Sequence, residues 1–392
     1  MPAAHDEAAK RTAGPARALH LLYGSLGSFV GCLLLGTAWD VYWHSQNLFE
    51  TFLTPPHLLM YAGVASAGAF AVAATYRPEL GRWFGAPIPL RFPPASVPGS
   101  VLLVGSGALL ALSGAVLDDG WHAAYGLDET RWSLPHAMVA WAVLLTLLGF
   151  LSCRMSLAAH LPITRAGSAA FGGALMMYSF VVFLGPMFLS STPEAVAKGA
   201  TLPGFQGPDA QHYFRIVAQW ELYRTNALYP ALVGLWAGSF IAMARGFEPR
   251  PVAFVGMLAV GTAVLSAAGV ALALYVGVLG SPGVWLPPML LPSVVLLLWV
   301  ESKGGPEWLG LAGCGAALGG LTFASYGGSA AGMLASLLAV PALFLGHRLG
   351  RLALRAVAHP GLRNVQALVL AMGLTVPALL ALVDVYLRTS TP

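Results

Sequence analysis

Two short segments of the chain carry an acid, a tryptophan and a histidine in the same order: Asp40-Val41-Tyr42-Trp43-His44 and, 78 positions later, Asp118-Asp119-Gly120-Trp121-His122. Each is followed by a second matching block, Glu50 to His57 and, 79 positions later, Glu129 to His136. The shared pattern is D-x-x-W-H, a short connection, then E-T-x-x-[T/S]-x-P-H. In each copy the acid and the first histidine are four residues apart, so on a helix they share one face, one turn from each other. Thr54 and Ser133 suit the N-cap, and Pro55 suits the first position of a following helix. That puts His57 and His136 in a first helical turn, at the level of the first histidines. Two imidazoles and a carboxylate meeting at one level make an N,N,O ligand set suited to copper, zinc or iron. One triad is Asp40, His44 and His57; the other is Asp118, His122 and His136.

Electrostatics favours a cation there. The carboxylates sit in the last turn of a helix, at the negative end of its dipole, and the second histidines sit at a positive end that favours the neutral, ligating imidazole. A histidine alone is an ordinary hydrogen-bonded side chain, and duplication copies structural caps as faithfully as ligands. It is the joint recurrence of Asp, Trp, His, Glu, Thr, Pro and His that points to metal. Glu50 and Glu129 read as partners orienting an imidazole, as exchangeable ligands or as solvated loop acids. Asp119, an extra acid in the second copy, reads as a spare ligand or a loop residue. Trp43 and Trp121 read as anchors at a membrane interface. His212, between Asp209 and Glu221, is a weaker candidate.

The elements holding these residues are membrane helices. Of 392 residues 57% are hydrophobic and 9% are charged, against about 25% charge in an average soluble domain. A water-soluble globule is excluded. Spans of about 20 apolar residues recur near 19–43, 57–76, 99–118, 134–154, 166–190, 225–244, 252–279, 284–301, 307–326, 329–346 and 363–387. The expectation is an all-α, polytopic integral membrane bundle of about 11 transmembrane helices. With the N-terminus inside, 15 of the 20 Lys and Arg fall on the inner side, which by the positive-inside rule gives N-in/C-out in the cell inner (cytoplasmic) membrane, with both triads near the outer, periplasmic face.

Four regions follow: a polar cytoplasmic tail over 1–18, a duplicated helical-hairpin region over 19–165, a fifth helix and long outer loop over 166–224, and C-terminal membrane helices over 225–392. The first apolar run is expected to stay as an anchor. The last region reads as scaffold, because its helices carry few ionisable residues apart from Asp384. Cys32, Cys153 and Cys314 form no CxxC pair, so neither disulfides nor a thiolate site is expected. The basic residues are spread through short loops, which gives no nucleic-acid surface.

Over about residues 19–155 these motifs resemble the C subunit of the copper-dependent membrane monooxygenases, the particulate methane and ammonia monooxygenases. That family carries Asp-x3-His with a second histidine thirteen residues on, in a stretch resembling T-P-S-H. Asp40, His44 and His57 in Thr54-Pro55-Pro56-His57 match it. A second family set has fourteen residues between its histidines, as His122 and His136 do, but begins with Asn where this chain has Asp118, which makes the second set more anionic. Family members are shorter, so the helices beyond 225 form a C-terminal extension. The resemblance implies one or two copper ions, O2-dependent hydroxylation of a small apolar or ammonia-like substrate, and assembly with monooxygenase-type subunits or an electron donor in the lipid bilayer. Zinc or iron is the lesser expectation. Two other readings stay open: a b-type cytochrome or quinol-reacting membrane protein, and a metal-handling permease.

Overall fold

A computed structural model describes residues 2–46, 52–91, 94–125, 134–164, 228–247, 286–325 and 330–371, with Gly167 and Gly256. In chain order the described elements are α1 (Pro2–Gln46), α2 (Pro55–Tyr76), α3 (Pro78–Gly81), β1 (Pro87–Leu90), β2 (Ala95–Pro98), α4 (Gly99–Tyr125), α5 (Leu134–Ala158), α6 (Leu228–Phe247), α7 (Leu286–Ser302), α8 (Glu307–Ser325) and α9 (Ala330–Ala358). Among the described residues, five stretches are long and apolar enough to cross a membrane: Gly14–Thr37, Pro55–Tyr76, Gly99–Trp121, Leu134–Ala158 and Leu337–Ala358. Large apolar side chains point outward along them, among them Leu35, Val72, Leu109 and Val116. Surface of that kind is stable against lipid rather than water. The chain is a multi-pass membrane protein. The spans expected at 166–190 and 252–279 lie almost wholly outside the described residues, as does most of 363–387.

The chain divides into two compact units, residues 1–163 with 355–392, and residues 164–354. In the first, α1 packs on α2, α4 packs on α5, and the pairs join through α2 with α4 and α1 with α5. Both pairs are antiparallel. Along α1 and α2, Gly36 lies against Pro56 and Met60, whereas Gly63 lies against Phe29 and Cys32. Along α4 and α5, Gly114 faces Pro135 and Val139, Gly107 faces Ala142 and Thr146, and Gly149 faces Val104. Without a hydrophobic force between helices in lipid, such small residues let backbones approach and gain dispersion contact.

Phe70 forms the centre of this unit, with ring centroids 5.2 Å from Phe84 and 5.3 Å from Phe150, and Phe29 sits 6.0 Å from Phe150. The connection from α2 to α4 is more regular than its composition suggests. After α3, the segments Pro87–Leu90 and Ala95–Pro98 pair as a short antiparallel ribbon, Pro87 opposite Pro98 and Leu90 opposite Ala95. The Ser100 hydroxyl donates to the Phe84 carbonyl at 2.5 Å and ties the turn before the ribbon to the start of α4. Ser152 on α5 donates to the Val357 carbonyl at 2.6 Å, which accounts for grouping the residues after 354 with the first unit. Helix α1 begins at Pro2, so the polar tail expected over 1–18 is helical from that point.

Candidate metal centre

The two halves of the repeat are built alike. Asp40 lies near the end of α1, and α2 restarts at Pro55 after Thr54, which holds the N-cap position with extended backbone angles and places proline in the first turn. The first helical bond runs from the Leu58 N–H to the Thr54 carbonyl at 3.0 Å. The Thr54 hydroxyl makes no capping bond, and its oxygen is buried without a hydrogen-bond partner among the described residues. The backbone, not the side chain, sets the entry of α2, and it carries His57 back to the level of Asp40. His57 Nε2 lies 3.4 Å from Asp40 Oδ1.

The second copy repeats this. Asp118 lies near the end of α4, α5 begins at Leu134, and His136 Nδ1 lies 3.8 Å from Asp118 Oδ1. His57, Asp40 and Asp118 are largely shielded, with side chains 12, 20 and 15% exposed, whereas His136 is 40% exposed. Metal–ligand bonds of about 2.0–2.2 Å at tetrahedral angles put two ligand atoms of one ion about 3.4 Å apart. The first pair therefore has the edge length of a coordination polyhedron, and the second is slightly wide of it. A borderline divalent ion accepts such an imidazole–carboxylate pair, and the donors suit copper, zinc or iron alike.

Four residues before each acid stands a glycine. A Cβ on Gly36 would meet the Met60 side chain and lie 3.1 Å from the Pro56 carbonyl and 3.2 Å from the Met60 nitrogen. A Cβ on Gly114 would lie 2.9 Å from Val139 Cγ2, 3.3 Å from its nitrogen and 3.4 Å from the Pro135 carbonyl. The repeat is thus G-x3-D-x3-H, one face of a helix over two turns. The glycine admits the first turn of the next helix, and that turn carries the second histidine. This part of the motif is visible in the sequence once the repeat is read one turn further back, although glycine is frequent enough in membrane helices to hide it.

The first-copy histidine also has an aromatic surround. Tyr61, one turn along α2, lies 6.0 Å from His57 and 4.9 Å from Phe52, ring centroid to centroid. Asp119 links the copies: it is exposed, and its Oδ1 accepts the Phe52 N–H at 3.3 Å, so the second acid of one copy holds the loop leading into the α2 of the other. Asp119 itself lies on α4, not in a loop.

Among the other candidates, His44 and His122 lie on helical backbone, but their side chains are outside the described residues. Glu50, Glu129 and the loop with Asp209, His212 and Glu221 are outside them as well. Among the described residues no group of three or more His, Cys, Asp and Glu is gathered closely enough to hold a metal; each copy contributes an acid–histidine pair. The described cysteines are all free, in agreement with the expectation of no disulfide among them. Compared with protein-family models, curated proteins and solved structures, the chain matches none.

Proposed function

We propose that the first unit is a copper-binding membrane module, resembling the C subunit of the particulate methane and ammonia monooxygenases, that takes part in O2-dependent hydroxylation of a small apolar substrate. The observation that carries this reading is the repeated acid–histidine pair, Asp40 with His57 and Asp118 with His136, each held by the end of one helix and the start of the next. His44 and His122, one helical turn beyond the acids, complete the two triads in this proposal. Copper, when bound, would supply the one-electron steps that such an oxidation requires.

The protein's own residues do the rest. Asp40 and Asp118 neutralise cationic charge, His57 and His136 supply nitrogen donors, and the Tyr61 ring, itself packed with Phe52, lies beside His57. An orientation of N-in/C-out and a total of about eleven spans put both sites at the outer face of the inner membrane, within reach of a substrate dissolved in the bilayer. Electrons come from partner subunits or a separate donor. The acid paired with a histidine in both copies, Asp40 with His57 and Asp118 with His136, supplies the oxygen donor of this mixed N,O site.

The test is oxidation by native membranes that retain the partners. Incorporation of 18O from labelled O2 into a short alkene or alkane, abolished in His57→Ala and His136→Ala, is the expected outcome. Incorporation unaltered by both substitutions would reject the enzymatic reading.

A further inference from the structure

The second unit contains a polar cavity that the repeat does not account for. About 530 Å³ in volume, it is lined by Arg245 of α6, Glu301 of α7, Glu307 of α8, and His347 and Arg351 of α9. Its apolar wall includes Leu297, Leu311 and Leu354. The charged residues come from four helices, spread over about a hundred positions of sequence, and the packing that gathers them is specific. Between α7 and α8, Gly304 takes a left-handed φ of +73°, its N–H bonds the Glu301 carbonyl at 2.9 Å, and the Gly305 N–H bonds the Val300 carbonyl at 3.0 Å. A helix end closed in this way brings Glu301 and Glu307 to the same rim. Against α6, the backbone of α9 comes so close that a Cβ on Gly238 would strike Leu343 and His347, and the Ser239 hydroxyl lies 3.0 Å from the Gly346 carbonyl.

The charges inside are matched. Arg245 pairs with Glu301, while Glu307 sits between His347 and Arg351, 3.4 Å from each. With the imidazole neutral, two guanidiniums and two carboxylates sum to zero. A simple anion in the cavity would meet the carboxylates, and a simple cation would meet the guanidiniums. A head group with both charges meets neither problem: its anion takes the unused N–H groups of the arginines, and its ammonium donates to the glutamates. Glu307 and Arg351 are each about half exposed, 53 and 51%, so their mutual pairing is weak and readily exchanged.

The depth of the cavity points to lipid. Within the candidate span Leu337–Ala358 of α9 the uninterrupted apolar residues end at Gly346, and His347, Arg348, Arg351 and Arg355 make its second half charged. Trp299 and Trp308 flank the α7–α8 turn with 58 and 61% of their surface exposed. Exposed tryptophans beside a change from apolar to charged residues mark head-group level; basic pockets between helices at that level receive anionic head groups, and the two glutamates here call for an ammonium beside the phosphate. We propose that this cavity binds the aminoethyl phosphodiester head of a zwitterionic phospholipid, its phosphate on Arg245 and Arg351 and its ammonium on Glu301 and Glu307. The primary ammonium carries N–H donors that a choline head lacks. An acidic glycerol head has the phosphate without the ammonium.

The full-length protein in mild detergent is titrated with phosphatidylethanolamine, phosphatidylcholine and phosphatidylglycerol of identical acyl chains, and with free phosphoethanolamine. Retained lipid is read by native mass spectrometry and stability by thermal unfolding. Phosphatidylethanolamine should be retained roughly tenfold over the other two lipids, the factor that one charge-assisted hydrogen bond commands. Glu307→Gln, at an exposed position, should abolish that preference, and Arg348→Gln, exposed and outside the cavity lining, should keep it. Equal retention of the three lipids by the unmodified protein, or a preference for phosphatidylglycerol, overturns the proposal. Stabilisation by free phosphoethanolamine without any lipid preference overturns the lipid as the source.

Discussion

Replacing Gly36 by alanine isolates the packing that brings His57 to Asp40. The added methyl would press on the Met60 side chain, which can turn away, and on the Pro56 carbonyl and the Met60 nitrogen at 3.1 and 3.2 Å, which cannot. Those backbone atoms belong to the first turn of α2, so the turn must retreat by a few tenths of an ångström and take His57 with it. Gly31, on the same helix, has nothing within 4 Å of its Cβ position. Alanine at either site gains about 1 kcal/mol of helix propensity, so that contribution cancels when Gly36→Ala is compared with Gly31→Ala. What remains is overpacking of about 1–3 kcal/mol. In the metal-free protein the helices relieve it by separating, but binding requires the close approach again. The strain therefore falls on affinity, as a loss of about 5- to 150-fold at the first site. Competition titration of copper on the two variants measures it. Affinities within twofold of each other would refute the role of the Gly36 contact.

Three further outcomes are expected. Gly114→Ala should weaken the second site and leave the first unchanged, because the nearest atoms to its new Cβ belong to Val139 and Pro135 of α5; site-resolved copper EPR distinguishes the two. Asp119→Ala removes the acceptor of the Phe52 N–H on an exposed loop, so it should lower stability by about 0.5–1.5 kcal/mol and reduce affinity at the first site, not the second. Ser152→Ala leaves the Val357 carbonyl without its buried donor, which should destabilise the first unit by about 1–3 kcal/mol, seen as a lower unfolding temperature with copper stoichiometry intact.

The approach of His57 to Asp40 was legible in the residues, because its elements are local. The Thr54-Pro55 start that returns His57 follows from helix geometry over some twenty positions. Thr54 shows the limit of that logic: its type marks the right place, yet the turn is closed by its backbone carbonyl and the hydroxyl goes unused. The ribbon at Pro87–Pro98 is hidden in the sequence because five prolines mask strand pairing, although Ile88 and Val97 face one another and are both buried. The cavity of the second unit was invisible for a different reason. Arg245, Glu301 and Glu307 stand at helix ends, where a charge ordinarily reports topology, and Arg351 lies two turns before the end of α9. No period or motif connects them; only the packing of α6 on α9 and the glycine-closed turn after α7 bring them to one place.

The most direct test of the copper reading is metal content and EPR of the purified protein after copper reconstitution, beside the His57→Ala/His136→Ala double variant. Two copper ions per chain with nitrogen hyperfine structure, both lost in the double variant while its helical content is unchanged, are the expected result. Copper bound equally by the variant, or none bound by the unmodified protein, would contradict it.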